Sequence, residues 1–161
     1  MNELPRSLKV VTVWLLVGVA LFLAVQALLS QQQRTRFEAS GGEITIRRGS
    51  DGHYHWPATV NGHAVDFLVD TGATRSALPA ELARRLQLPV EGSTRSQTAG
   101  GTVRGDIVRA DLELHGGVRV RQLRIVALPA LTAPLLGMDV LGRLHWRQSG
   151  GELVFDLDTA D

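Results

Sequence analysis

Three patterns of apolar and polar positions succeed one another along the chain. From Val10 to Leu29 the residues run VVTVWLLVGVALFLAVQALL, with Thr12 and Gln26 the only clearly polar side chains. About 20 helical residues at ~1.5 Å each span a ~30 Å hydrocarbon core, and no polar face interrupts the run, so it predicts a transmembrane helix. A cleaved signal peptide is the competing reading, because Val25-Gln26-Ala27 has the small-residue look of a cleavage site. Signal cores are usually about 7–15 residues long, shorter than this run, which favours an uncleaved anchor. Residues 31–42 (QQQRTRFEASGG) are polar, end in Gly41-Gly42, and read as a juxtamembrane linker.

From residue 43 the period changes to two. Ile44 and Ile46 alternate with Thr45 and Arg47, and Tyr54 and Trp56 with His53 and His55. Asn61-Gly62 predicts a type I′ hairpin turn, with Val65 to Val69 as its second strand. Pro79 to Leu86 reads as a short helix with Leu82 and Leu86 toward the core. Residues 92–102 (GSTRSQTAGGT) are small and polar. Val103 to Leu114 and Val118 to Val126 are alternating strands joined at His115-Gly116-Gly117. Leu135-Leu136 then breaks at Gly137 into a short helix, where Asp139 is expected as a cap. A last hairpin, Leu144 to Leu157, turns at Gly150-Gly151. Short strands and many glycine turns predict a mostly-β domain, a small barrel or sandwich, over residues 43–161. Residues 1–30 form the N-terminal tip and anchor.

Composition narrows the function. The chain has 161 residues, a formal net charge of +1 and no cysteine. That leaves no electrostatic footprint for nucleic acid and excludes disulfides and thiolate metal sites. Trp14, Trp56 and Trp146 are too scattered to form a base-stacking platform. Basic residues flank the apolar run on both sides, Arg6 and Lys9 before it and Arg34 and Arg36 after it, and a short basic N-terminus in the cytoplasm with an exported domain is the expected orientation. The expected arrangement is a single-pass inner-membrane protein with its domain on the exported, periplasmic side.

One acid stands out. Phe67-Leu68-Val69-Asp70-Thr71-Gly72-Ala73-Thr74 sets a carboxylate at the end of an apolar strand, which predicts a buried acid. Burying a carboxylate is costly unless it is hydrogen-bonded or shares a proton. Thr71 offers a hydroxyl, and Gly72 lets backbone N–H groups approach. Asp66, on the opposite parity to Val65 and Phe67, is expected to face solvent.

The order of these features resembles the retropepsin-like aspartic proteases, and the anchor makes the chain similar to the membrane-anchored bacterial members. The elements that carry the likeness are Asp70-Thr71-Gly72-Ala73-Thr74, a short helix, a Gly-Gly hairpin loop and Leu135-Leu136-Gly137-Met138-Asp139-Val140-Leu141, over residues 54 to 157. The resemblance implies a closed β-barrel protomer with one or two short helices, preceded by a single transmembrane helix. It implies that Asp70 is the catalytic aspartate, that Thr71 ties two active-site loops together, and that Gly72 flanks the carboxylate. Ala73 and Thr74 complete that loop. Ala99, Gly100, Gly101 and Thr102 match the flap tip, and Leu135, Leu136 and Gly137 the segment behind the site. The sequence departs from the retroviral pattern at Thr74, where an acid is usual, and at Met138, where an arginine is.

Peptide hydrolysis of this kind needs two carboxylates sharing one proton. The chain holds one Asp-Thr-Gly, so an active enzyme is expected to be a homodimer with one Asp70 from each copy. The expected substrate is a protein or peptide, with the bilayer engaged through residues 10–29 and no cofactor or metal. Two rivals stand beside this reading. One is an inactive retropepsin-fold dimerisation or binding module. The other is an envelope domain that binds metal through His53, His55 and His63, although surface-strand histidines beside Trp56 account for that pattern more simply.

Overall fold

The computed structural model describes residues 6–34, 37–98 and 100–157. The chain divides into two compact units, residues 1–36 and 37–161. The first contains one helix, α1 (Arg6–Arg34), whose side chains from Val11 to Val25 are exposed. Among the described residues no helix is long and apolar enough to cross a membrane. The apolar run of residues 10–29 extends past those described side chains at both ends.

The second unit begins earlier than the sequence pattern suggests. Residues 31–42, read as a linker, include the last turn of α1 and a strand, β1 (Phe37–Ser40), paired antiparallel with β2 (Glu43–Arg47). Gly41 and Gly42 are its turn, at φ +59° and +83°. Asn61-Gly62 and Gly150-Gly151 repeat that pair of positive φ values in two further hairpins. All three are two-residue turns whose twist matches the strands they join.

β1 and β2 belong to a four-stranded sheet ordered β1-β2-β11-β10, with β10 (His145–Ser149) and β11 (Glu152–Asp156) as its other hairpin. The remaining strands are β3 (His55–Val60), β4 (His63–Val69), β5 (Ala77–Pro79), β6 (Val90–Thr98), β7 (Gly101–Leu114), β8 (Arg119–Leu128) and β9 (Leu135–Leu136). They are ordered β3-β4-β9-β5-β8-β7-β6, and an extra β3–β7 pairing at Val60↔Leu112 closes six of them into a barrel. Two short helices, α2 (Ala80–Arg85) and α3 (Met138–Leu141), complete the domain.

Alternation fills the barrel. β3 places Trp56, Ala58 and Val60 inward, and β4 places Val65 and Phe67 inward. Ile44, Ile46, Leu153 and Phe155 from the four-stranded sheet join the same core. The Trp56 and Phe155 rings lie 4.4 Å apart, and the Trp56 indole N–H donates to the His115 carbonyl at 2.8 Å, so this large side chain is buried without an orphaned donor. α2 contributes Ala83, with Leu82 and Leu86 packed at the margin.

Within the polar stretch 92–102, residues 92–98 and 101–102 are strand. β6 and β7 pair in register from Ser93↔Asp106 to Thr98↔Gly101. Apolar alternation is missing there because this hairpin projects past the core and is held by its backbone ladder. At its root Glu91 takes hydrogen bonds from Arg109 (2.8 Å) and Arg124 (3.2 Å), which join β6 to β7 and β8. The Arg109 hydrogen bond, ahead of Arg124, holds the Glu91 carboxyl below its usual range.

Candidate active site

Three backbone bonds fix the end of β4. Leu68 N–H donates to the Pro134 carbonyl (2.9 Å), Val69 N–H to Tyr54 (2.9 Å) and Asp70 N–H to Leu136 (3.0 Å). β4 runs parallel to β9 through Leu68↔Leu135 and Val69↔Leu136. Asp70 therefore leaves the barrel at a point clamped from both sides. The chain then turns at once: Ala73 N–H donates to the Asp70 carbonyl at 3.2 Å, and Gly72 N–H to Asp70 Oδ1 at 2.9 Å. A Cβ on Gly72 would lie 3.2 Å from that oxygen, so glycine leaves room for the contact.

The carboxylate is not buried. Asp70 is half-buried, and Thr71, Gly72, Thr74 and Arg75 are exposed. The apolar residues that suggested burial do line the strand, with Phe67 fully enclosed, but the strand surfaces at Leu68 and Val69. Met138, 38 % exposed, is the first residue of α3, one residue beyond β9. Asp70 thus opens onto the surface that carries its loop.

Behind that face the loop is buckled to α3. Met138 N–H donates to the Ala73 carbonyl (2.8 Å). Ser76, fully buried, donates through both its N–H (2.9 Å) and its hydroxyl (2.7 Å) to Asp139 Oδ1, and its oxygen accepts from Gly137 N–H at 3.1 Å. Asp139 is therefore not the helix cap expected from its position. The N-cap is Gly137, which has no side chain, and Asp139 lies one residue inside the helix with its carboxylate turned to Ser76. Gly137 is required by contact: a Cβ there would fall 2.5 Å from Arg75 C and 2.8 Å from Ser76 N. Ser76 is a site residue that no motif marks; its only sequence signal is a lone hydroxyl heading the apolar stretch Ala77-Leu78.

Leu135 and Leu136, expected as the segment behind the site, face different clusters. Leu136 is fully buried in the main core. Leu135 borders a smaller cluster of Ala77, Val126 and Leu128 with Leu131. The β6–β7 hairpin crosses this cluster at Gly105, where a Cβ would meet the Ala127 carbonyl and Leu128 Cδ2 at 2.7 Å. An apolar wall thus lies between the hairpin root and the loop of Asp70. Of the expected flap residues, Gly100, Gly101 and Thr102 form the described tip, with Thr102 Oγ1 donating to Gln97 Oε1 at 2.7 Å. Ala99 lies outside the described residues.

Among the described residues no group of three or more His, Cys, Asp or Glu side chains could hold a metal ion. Both ring nitrogens of His55 contact carboxylates, which accounts for that histidine without a metal.

A barrel whose end presents an Asp-Thr-Gly loop, braced by a Leu-Leu-Gly segment, defines a retropepsin-like aspartic protease fold. Residues 56–143 match the family described as gag-polyprotein putative aspartyl protease, and the chain belongs to that family. A crystal structure of a retropepsin-like aspartic protease from Rickettsia conorii superposes with a TM-score of 0.57 at 27% identity, covering 74% of this chain and 92% of that one. EIAV protease in complex with an inhibitor shares the fold, with a TM-score of 0.53 at 20% identity over 60% of this chain and 92% of that one. An uncharacterized protein of Rickettsia prowazekii (strain Madrid E) is 35% identical over 106 residues, 63% of this chain and 46% of that protein. The chain thus spans about half the length of that relative.

Proposed function

We propose that this protein is a membrane-anchored aspartic endopeptidase that works as a homodimer, with the bilayer engaged through residues 10–29 and the protease domain in the periplasm. The observation that carries the reading is the single Asp70-Thr71-Gly72 loop, rigidly backed by Ser76, Gly137 and Asp139 yet open to the protomer surface. A second Asp70, from another copy, supplies the carboxylate this chemistry needs. Thr71 of each copy joins the two loops across the axis, and the hairpin tip around Gly100, Gly101 and Thr102 closes over a bound peptide.

In that dimer the two carboxyls hold one proton between them, because two acids ~3 Å apart do not both ionise. The ionised Asp70 takes a proton from water as the water oxygen attacks the scissile carbonyl carbon. The protonated Asp70 donates its proton to the carbonyl oxygen, giving a neutral gem-diol. Collapse breaks the C–N bond, with the amine nitrogen taking a proton from one carboxyl and the diol returning one to the other. No metal or cofactor enters. The apolar helix exposed from Val11 to Val25 supports the anchor, since a run of apolar side chains of that kind needs cover from water. Confinement to one membrane raises the effective concentration of the halves.

Incubating the full chain, purified in detergent, with a peptide library and a statine-type transition-state analogue tests the reading. Internal cleavage that the analogue blocks, strongest at acidic pH, is the expected result. A stable dimer that cleaves nothing contradicts it and favours a binding module.

A further inference from the structure

His55 lies on the outer face of β3, and both of its ring nitrogens meet carboxylates. Nδ1 is 2.8 Å from Asp66 Oδ2 on β4, and Nε2 is 2.7 Å from Asp51 Oδ2 in the segment before β3. A neutral imidazole carries one N–H and can donate to only one of them; its other nitrogen would set a lone pair against a carboxylate. The ring that satisfies both acids is an imidazolium, donating from each side.

The segment this clasp holds is tightly folded and touches the strand of Asp70. Gly49 N–H donates to the His53 carbonyl and Gly52 N–H to the Gly49 carbonyl, at 2.6 and 3.0 Å. Asp51 Oδ1 takes the His53 N–H at 3.1 Å. The Arg48 guanidinium stands 5.7 Å over the Tyr54 ring. The Tyr54 carbonyl then accepts from Val69 N–H, the residue before Asp70. One end of the clasp is thus on β4 at Asp66, and the segment it secures returns to β4 at Val69.

We propose that His55, charged between Asp51 and Asp66, is a positioning residue that clamps residues 48–54 onto β4 and so fixes the strand end bearing Asp70. The proposal rests on the peptidase reading for its catalytic consequence, and on geometry alone for the clasp.

The groups facing the ring are Asp51 and His53 from the preceding segment and Asp66 from β4; His53 Nδ1 is 3.6 Å from Asp51. Burial opposes the charge on His55, but the hydrogen bonds to Asp51 and Asp66 outweigh it and raise the ring above its usual 6.5. The same hydrogen bond from His55, with the His53 N–H, pulls Asp51 down to about 2. A histidine raised on folding contributes below its unfolded value and loses that contribution as pH climbs through the folded one. A depressed aspartate contributes above its unfolded value of 3.8 and loses it as pH falls toward about 2. The clasp is therefore complete between roughly pH 4 and pH 6.5, and it opens as pH climbs through the raised His55 value or falls toward about 2.

The test uses the full chain in detergent with isotope-labelled histidine and backbone amides. The expected His55 titration midpoint lies above 6.5, the Val69 amide resonance shifts with the same midpoint, and Asp66→Asn lowers both. At pH 5 His55→Gln should reduce kcat about tenfold with KM unchanged, within what a small misplacement of a reacting group costs. His55→Arg, which keeps a cation and two donors, should restore it. A midpoint at or below 6.5, a Val69 amide indifferent to it, or an Arg variant as slow as the Gln variant overturns the proposal. A wild-type chain that cleaves nothing defeats the peptidase reading instead, and the two resonances still decide the clasp.

Discussion

Asp70→Asn is expected to reduce peptide cleavage roughly ten-thousand-fold, the upper end of what a positioned acid–base group contributes. In a symmetric dimer the one substitution removes both carboxyls, so neither the base that deprotonates water nor the acid that protonates the carbonyl remains. The change is otherwise small. An asparagine oxygen can still accept the Gly72 N–H that now bonds Asp70 Oδ1 at 2.9 Å, so the loop has no reason to rearrange. The melting temperature and the oligomeric state should match the wild type while turnover disappears. Cleavage of a fluorogenic peptide, compared with thermal unfolding of the same preparations, checks this. Turnover that persists would place the chemistry elsewhere in the chain.

Gly137→Ala carries the second large effect, and it acts on stability as well as turnover. The added Cβ would sit 2.5 Å from Arg75 C and 2.8 Å from both Arg75 O and Ser76 N, all backbone atoms. No rotamer change relieves that; either the Arg75–Ser76 segment or the start of α3 has to move. The movement breaks the bonds that centre on Ser76, whose hydroxyl has no water to turn to at zero exposure. Overpacking of this kind costs about 1–3 kcal/mol, and loss of a buried hydrogen bond adds about 1–3 kcal/mol. Gly92→Ala is the matched control, since nothing lies within 4 Å of its Cβ. Urea unfolding should show a lower midpoint for Gly137→Ala and a shift within about 0.5 kcal/mol for Gly92→Ala. Equal stability in the two variants would mean that the Arg75–Ser76 backbone yields freely.

Much of the barrel was legible because its strands obey a single rule. Where one face meets the core, as in β3, β4, β7 and β8, apolar alternation marks the strand, and Asn61-Gly62 or Gly150-Gly151 marks the turn. The rule fails where a strand has no core to face. β6 reads Val-Glu-Gly-Ser-Thr-Arg-Ser-Gln-Thr and is held by pairing with β7, which leaves no apolar trace. β1 is hidden for a related reason: a four-residue strand followed at once by Gly41-Gly42 has the composition of a linker, and only its register with β2 makes it a strand. At the site, Asp70-Thr71-Gly72 and Leu135-Leu136-Gly137 were visible as local words. The contact between them was not, since Ser76 and Asp139 are 63 positions apart and neither residue type is unusual where it stands. Asp70 is half-buried despite the apolar strand before it, because that strand reaches the surface at Leu68 and Val69.

The central claim is that the catalytic site is shared between two copies of the chain. Co-expressing wild-type and Asp70→Asn chains in equal amounts, and measuring cleavage at fixed total protein, tests it most directly. Random pairing leaves about a quarter of dimers with two intact Asp70 residues, so the account predicts about a quarter of wild-type activity. Activity of about one half would mean that each protomer works alone, and would contradict the shared site.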